Sequence, residues 1–148
     1  MLEVGATLPQ FSTIDQNEKT VTTESLKGNK TVLYFYPKDD TPTCTTQACN
    51  LRDNYDALLA AGYKVYGISP DKATKHQKFI AKYDLPFDLL VDEDHALAEA
   101  FGVWGEKKMY GRTYMGIFRT TFVIDENGVI TEVIAKVKAK EHTTQILG

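Results

Sequence analysis

The run Thr31-Val32-Leu33-Tyr34-Phe35-Tyr36, closed at once by Pro37, constrains this chain more than any other stretch. A β-branched and aromatic run with no polar alternation is the pattern of a strand buried on both faces, and Pro37 has no N–H with which to continue a ladder. A second such run, Val65-Tyr66-Gly67-Ile68-Ser69, stops at Pro70. Between them, residues 45–61 place Leu51, Tyr55, Leu58 and Leu59 at helical spacing, with Gly62 just past the end as a C-cap. Strand, helix and strand in that order form a βαβ unit, whose crossover is expected to be right-handed.

Beyond Pro70, Asp71 is a candidate N-cap for a helix over residues 72–83 that turns Phe79, Ile80 and Tyr83 inward and ends at Asp84-Leu85-Pro86. Residues 87–91 read as a third strand, and residues 95–101 as a short helix closed by Gly102. Residues 103–116, rich in glycine and aromatic side chains, read as irregular. The runs 120–124 and 129–134 flank Asp125-Glu126-Asn127-Gly128, and Asn-Gly between two β-prone runs signals a hairpin. Helical character resumes from Glu141, and the first 25 residues suggest a small hairpin containing Phe11 and Val21. This order predicts a thioredoxin-like α/β three-layer sandwich: a central mixed β-sheet flanked by helices, with a small N-terminal hairpin.

Composition narrows the function classes. A chain of 148 residues, 43% hydrophobic and 25% charged, fits one domain over residues 1–148 with a proper core. The net charge of -3 leaves no basic surface for phosphates or anionic lipid, so neither nucleic acid nor a membrane is an expected partner. No run approaches the roughly 20 apolar residues of a membrane span. The start, Met1-Leu2-Glu3-Val4-Gly5, lacks a basic segment followed by an apolar one, so a cytoplasmic location is expected. Two cysteines are too few for a disulfide scaffold, and any disulfide in such a compartment is transient.

Cys44 falls in the turn between the first central strand and its helix, where the N–H groups of the helix start are unpaired. A thiol is a nucleophile only as the thiolate, and an unperturbed cysteine, with a pKa of about 8.5, is mostly protonated at neutral pH. The positive end of the helix favours the anion. Arg119 opens a strand that, if antiparallel to residues 31–36, begins where that strand ends, which sets a guanidinium beside Cys44. Asp39 and Asp40 would oppose the anion and are expected to face water. Thr41, three residues ahead of Cys44, is close enough for its hydroxyl to reach the sulfur, and Pro37 and Pro42 restrict the loop and shield it.

The spacing of the cysteines has a geometric consequence. If both Cys44 and Cys49 lie on one regular helix, their Cα atoms are roughly 8 to 9 Å apart, beyond the limit of about 7 Å for bridging. No disulfide closes between them without melting a turn, so residues 43–51 are expected to unfold locally before Cys49 meets Cys44.

The segment Pro37-Lys38-Asp39-Asp40-Thr41-Pro42-Thr43-Cys44-Thr45-Thr46-Gln47-Ala48-Cys49 resembles the peroxiredoxin active site, specifically that of the bacterioferritin comigratory protein or peroxiredoxin Q group. Its frame is Pro-x-x-x-Thr-x-x-Cys with a second cysteine five residues on. The likeness continues through Gly67-Ile68-Ser69, residues 101–108 and residues 116–125, in collinear order over nearly the whole chain. It implies a thiol-dependent peroxidase acting on hydrogen peroxide and alkyl hydroperoxides. Cys44 would be the peroxidatic cysteine, Pro37, Thr41 and Arg119 its pocket, and Cys49 the resolving cysteine. A thioredoxin-like reductant, no metal or organic cofactor and a monomeric state are implied as well. Thr43 stands where the group usually has glycine, which would matter if the backbone there needed positive φ. The Gly-Gly-Leu-Gly motif of hyperoxidation-sensitive relatives is absent, which implies resistance to sulfinic acid formation.

Other readings compete with these. Either cysteine alone could be a small buried hydrophobe, Arg119 a surface ion-pair residue, and Thr41 a loop hydroxyl or cap. Trp104 and its aromatic neighbours read as packing, and His76, His95 and His142, separated and unclustered, read as surface residues. A thioredoxin-type disulfide oxidoreductase would favour Cys-x-x-Cys, which the spacing here does not supply. A metal-binding module would have in these two cysteines at most half of a zinc site.

Overall fold

In a computed structural model that describes all 148 residues, β1 (Ser12–Ile14) and β2 (Thr20–Thr22) form the small N-terminal antiparallel hairpin. Asp15 closes its turn by accepting the N–H groups of Asn17 and Lys19, and Val21 points into the core. One helical turn, α1 (Thr23–Leu26), follows; Thr22 and Ser25 cap each other's backbone N–H groups at its start.

Next come β3 (Lys30–Phe35), α2 (Pro42–Asp53), α3 (Tyr55–Ala60) and β4 (Tyr63–Ser69), then α4 (Ala73–Tyr83), β5 (Asp88–Val91) and α5 (Ala96–Phe101). A hairpin of β6 (Trp104–Met109) and β7 (Arg112–Ile117) leads to β8 (Thr120–Ile124) and β9 (Ile130–Ile134), and a 3-10 turn (Ala139–Glu141) to α6 (His142–Leu147). The main sheet has the order β5-β4-β3-β8-β9. β3 lies at its centre, parallel to β4 and antiparallel to β8 with Phe35 opposite Thr120. The mixed central sheet, the helices and the N-terminal hairpin agree with the expected architecture.

The two-residue period of β3 divides the core. Leu33 and Phe35 face one side with Phe101 of α5, Phe122 and the N-terminal segment. Val32, Tyr34 and Tyr36 face the other with Leu51 of α2, Leu58 of α3, Phe79 of α4 and Ile146 of α6. Glycine is required at position 67, where a Cβ would lie 2.7 Å from Leu89 Cδ2 and 2.8 Å from Tyr34 Cζ.

Three boundaries differ from the sequence reading. The long helix over residues 45–61 starts earlier, because a proline suits the first helical position, and it is broken at Asn54, whose side chain donates to Asn50 O at 2.8 Å and competes with the helical ladder. Asp71 does not cap α4; the N-cap is Lys72, and Asp71 turns to Ser69 and Lys75. Residues 103–116 are not irregular, since β6 and β7 pair from Trp104 opposite Ile117 to Met109 opposite Arg112. Their residues are mostly exposed, so no apolar alternation marks them, and the turn Tyr110-Gly111, with φ of 52° and 75°, takes the positive-φ pair of a tight hairpin without the usual Asn-Gly.

Candidate active site

The end of β3 delivers the chain into the loop of residues 37–41, and α2 begins at Pro42 with Thr41 as its extended N-cap. Cys44 is therefore in the first turn of α2, and only 2% of it is exposed. Antiparallel pairing of β8 with β3 brings Arg119, the residue before β8, to the same end of the sheet, as the sequence predicts. Its Nη2 donates to Cys44 Sγ at 3.2 Å. A guanidinium and the N-terminus of a twelve-residue helix thus converge on one sulfur, and both favour negative charge there. Lys107 lies nearby, donating to Ile117 O at 2.7 Å; burial, with Arg119 adding to it, pushes its ammonium below the usual range.

Other expected site residues are arranged differently. Thr41 stands at the helix start, but its hydroxyl donates to Lys38 O at 3.0 Å and not to the sulfur. Pro37 is half-buried at the exit of β3, whereas Pro42 is exposed. Thr43 lies in helical backbone, without positive φ, so glycine is not required there. Cys49, half-buried, shares α2 with Cys44, and both are free thiols.

Asp40 faces solvent, as expected, with Lys82 Nζ at 2.8 Å and the Tyr83 hydroxyl at 2.9 Å; the hydrogen bonds from Lys82 and then Tyr83 hold its carboxyl below the usual range. Asp39, expected in water, is 2% exposed instead. Local partners make that burial tolerable: the Tyr36 hydroxyl donates to Asp39 Oδ1 at 2.5 Å, and His76 Nδ1 lies 2.6 Å from Oδ2. His76 is fully buried, not a surface residue, and its Nε2 donates to Leu90 O at 2.9 Å. The N–H of Asp39 donates to Asp71 at 2.7 Å. Burial pushes Asp71 up, but the bonds from Asp39, Ser69 and Lys75 outweigh it and hold its carboxyl low. The loop ahead of Cys44 is thereby fastened to the end of β4 and to α4.

Sequence reasoning missed two residues at the site. Gln47, one helical turn after Cys44 and fully buried, accepts from Arg119 Nη1 through its Oε1. Its Nε2 is 3.2 Å from His142 Nδ1, and His142 Nε2 is 2.7 Å from Thr121 Oγ1. His142 was expected at the surface but is fully buried in α6. Burial, reinforced by the charge of Arg119, pushes its pKa down to about 3. The available signal for Gln47 was a polar residue on the inward stripe of Cys44, Ala48 and Leu51; for His142, 95 positions away, there was none. His95, the third histidine, is half-buried and stacks on Trp104 at 3.7 Å.

Comparison with known proteins agrees with this geometry. The AhpC/TSA family matches residues 4–133. A protein of Haemophilus influenzae named putative peroxiredoxin bcp is 51% identical over 99% of this chain and 94% of its own length. Peroxiredoxin Bcp of Bacillus subtilis is 46% identical over 99% and 93%. Among solved structures, peroxiredoxin Q of Xanthomonas campestris superposes with a TM-score of 0.87 at 36% identity, covering 93% of this chain and 87% of the other. A cysteine-to-serine mutant of Xylella fastidiosa PrxQ gives 0.92 at 31% identity, covering 99% and 94%. With a family match over most of its length and near full-length relatives at about half identity, the chain belongs to the AhpC/TSA family and is a peroxiredoxin, a thiol peroxidase, of the bacterioferritin comigratory protein and peroxiredoxin Q group.

Proposed function

We propose that Cys44 is the peroxidatic nucleophile and Cys49 the resolving cysteine of a thioredoxin-type-reductant peroxidase that takes hydrogen peroxide and alkyl hydroperoxides. The observation that carries this reading is the Arg119 guanidinium 3.2 Å from Cys44 Sγ in the first turn of α2. The Cys44 thiolate attacks the terminal peroxide oxygen, the O–O bond breaks, and the alkoxide or hydroxide leaves with a proton as alcohol or water. The sulfur keeps the transferred oxygen as sulfenic acid. Arg119, within reach of both sulfur and substrate, stabilises the charge growing on the departing oxygen. The Thr41 hydroxyl has its proton committed to Lys38 O, so its oxygen acts as an acceptor for the peroxide O–H. Pro37 holds the loop at the strand exit. The alkyl peroxide reduction activity named for the Xanthomonas campestris bacterioferritin comigratory protein, 35% identical, supports an alkyl hydroperoxide as one substrate class.

Resolution requires movement. Cys44 and Cys49 are five positions apart on α2, a spacing that separates their Cα atoms by roughly 8 to 9 Å. Residues 43–51 therefore unwind before the Cys49 thiolate attacks the sulfenic sulfur; the S–S bond forms as the S–O bond breaks, and the departing hydroxide takes up a proton to leave as water. An external dithiol of thioredoxin type then takes up the disulfide by exchange and restores both thiols. Such a cycle suits a monomer in the reducing cytoplasm.

Stopped-flow mixing of the reduced protein with hydrogen peroxide tests the reading. Cys44→Ser should abolish the reaction, while Cys49→Ser should consume one equivalent and accumulate sulfenic acid. A Cys44→Ser protein as reactive as the wild type would end the proposal. Amide exchange should show lost protection over residues 43–51 in the disulfide form, and unchanged protection would contradict the unwinding.

A further inference from the structure

Arg119 must be held at two points to keep one N–H on the sulfur. Its Nη2 faces Cys44 and its Nη1 faces Gln47 Oε1. Gln47 has two chemically different ends of nearly the same shape, however, and only the carbonyl end can accept from a guanidinium, which has donors alone. Whatever holds the amide the right way round also holds the arginine. The partner on its other side is His142 Nδ1, at 3.2 Å.

The polarity of this chain of bonds has one solution. Arg119 donates to Gln47 Oε1, so the Gln47 amide group donates to His142 Nδ1, which must carry a lone pair; the proton of the neutral ring then sits on Nε2 and is donated to Thr121 Oγ1. Burial and the nearby positive charge of Arg119 both keep the ring neutral, so this lone pair persists throughout the neutral range. Tyr34 fixes the ring from β3 by an edge-to-face contact with centroids 5.7 Å apart.

Resting on the reading of Cys44 and Arg119 given above, we propose that His142 of α6 is a positioning residue for the peroxide reaction, presenting an obligate acceptor that orients Gln47 and, through it, the Arg119 guanidinium. His142 touches neither sulfur nor substrate. Without its lone pair the Gln47 amide is free to flip, and an NH2 group facing the guanidinium repels it.

His142→Leu, which fills the site without an acceptor, should lower the second-order rate of Cys44 oxidation by hydrogen peroxide about 5- to 10-fold, the worth of one lost buried hydrogen bond. His142→Asn, whose Oδ1 can take the place of Nδ1, should restore the rate to within about threefold of wild type. In a Gln47→Ala background His142→Leu should have no further effect on the rate, because its route to Arg119 is already cut, while still lowering thermal stability. A folded His142→Leu protein that oxidises at the wild-type rate, or equal loss in the two backgrounds, would overturn the proposal. If His142→Leu does not fold, His142→Phe, which keeps a ring against Tyr34 without an acceptor, is judged by the same criteria. Wild-type protein that does not react with peroxide through Cys44 would instead refute the underlying assignment, so the two failures are separable.

Discussion

The buried His142 makes the stability of this protein depend on pH in a way that can be worked from its environment. The ring has no exposed surface, and burial, then Arg119, pushes its pKa from 6.5 to about 3. In the unfolded chain it returns to its ordinary value, so between pH 3 and 6.5 the unfolded state binds the extra proton. The stability that His142 leaves intact above pH 6.5 is therefore lost progressively as the pH falls towards 3. At pH 5 the unfolded ring is about 97% protonated and the folded ring about 1%, which weakens folding by about 2 kcal/mol relative to pH 8. For a chain of this size that amounts to an extra fall in Tm of about 4 to 8 °C. His142→Asn keeps the hydrogen bond without the titration and is the reference. Thermal or urea unfolding of both proteins at pH 8 and pH 5 reads the difference directly, and carboxylates common to both cancel. Equal losses on acidification in the two proteins would refute the claim that His142 is buried as a neutral ring.

Arg119→Ala removes a charge-assisted bond to the sulfur and should slow single-turnover oxidation by about 10- to 150-fold while leaving the circular dichroism spectrum intact; an unaffected rate would show that the 3.2 Å contact does not act in the reaction. Asn50, next to Cys49, fastens α2 to the C-terminal segment by donating to Lys140 O at 2.8 Å and accepting from Thr143 N at 2.9 Å. Asn50→Ala should therefore speed disulfide formation after oxidation by about 3- to 10-fold in rapid-mixing experiments, and no change would mean that this fastening does not limit the unwinding. Gly67→Ala would drive a methyl group to 2.7 Å from Leu89 and should cost about 1 to 3 kcal/mol, seen as a lower urea midpoint; wild-type stability would mean that the sheet relaxes there freely.

Much of this protein was legible because its signals are local. The run ending at Pro37 identified the central strand, Asn127-Gly128 the hairpin of β8 and β9, and the frame around Thr41 and Cys44 the turn that leads into α2. The prediction that Arg119 meets Cys44 was conditional on one step beyond the sequence, antiparallel pairing of β3 and β8, which the structure shows. The hairpin of β6 and β7 escaped because mostly exposed strands carry no apolar alternation.

The sequence by itself determined the order of the central elements and the position of Cys44 at the mouth of the central strand, since apolar periodicity and prolines are properties of neighbouring residues. Only the tertiary structure decided which polar side chains are buried and what they bond to: Asp39 with Tyr36 and His76, and the relay from Arg119 through Gln47 to His142. Those partners are separated by up to 95 positions, and a polar side chain can enter a core only when packing of distant segments brings it a matching donor or acceptor, a condition no local pattern of residues records.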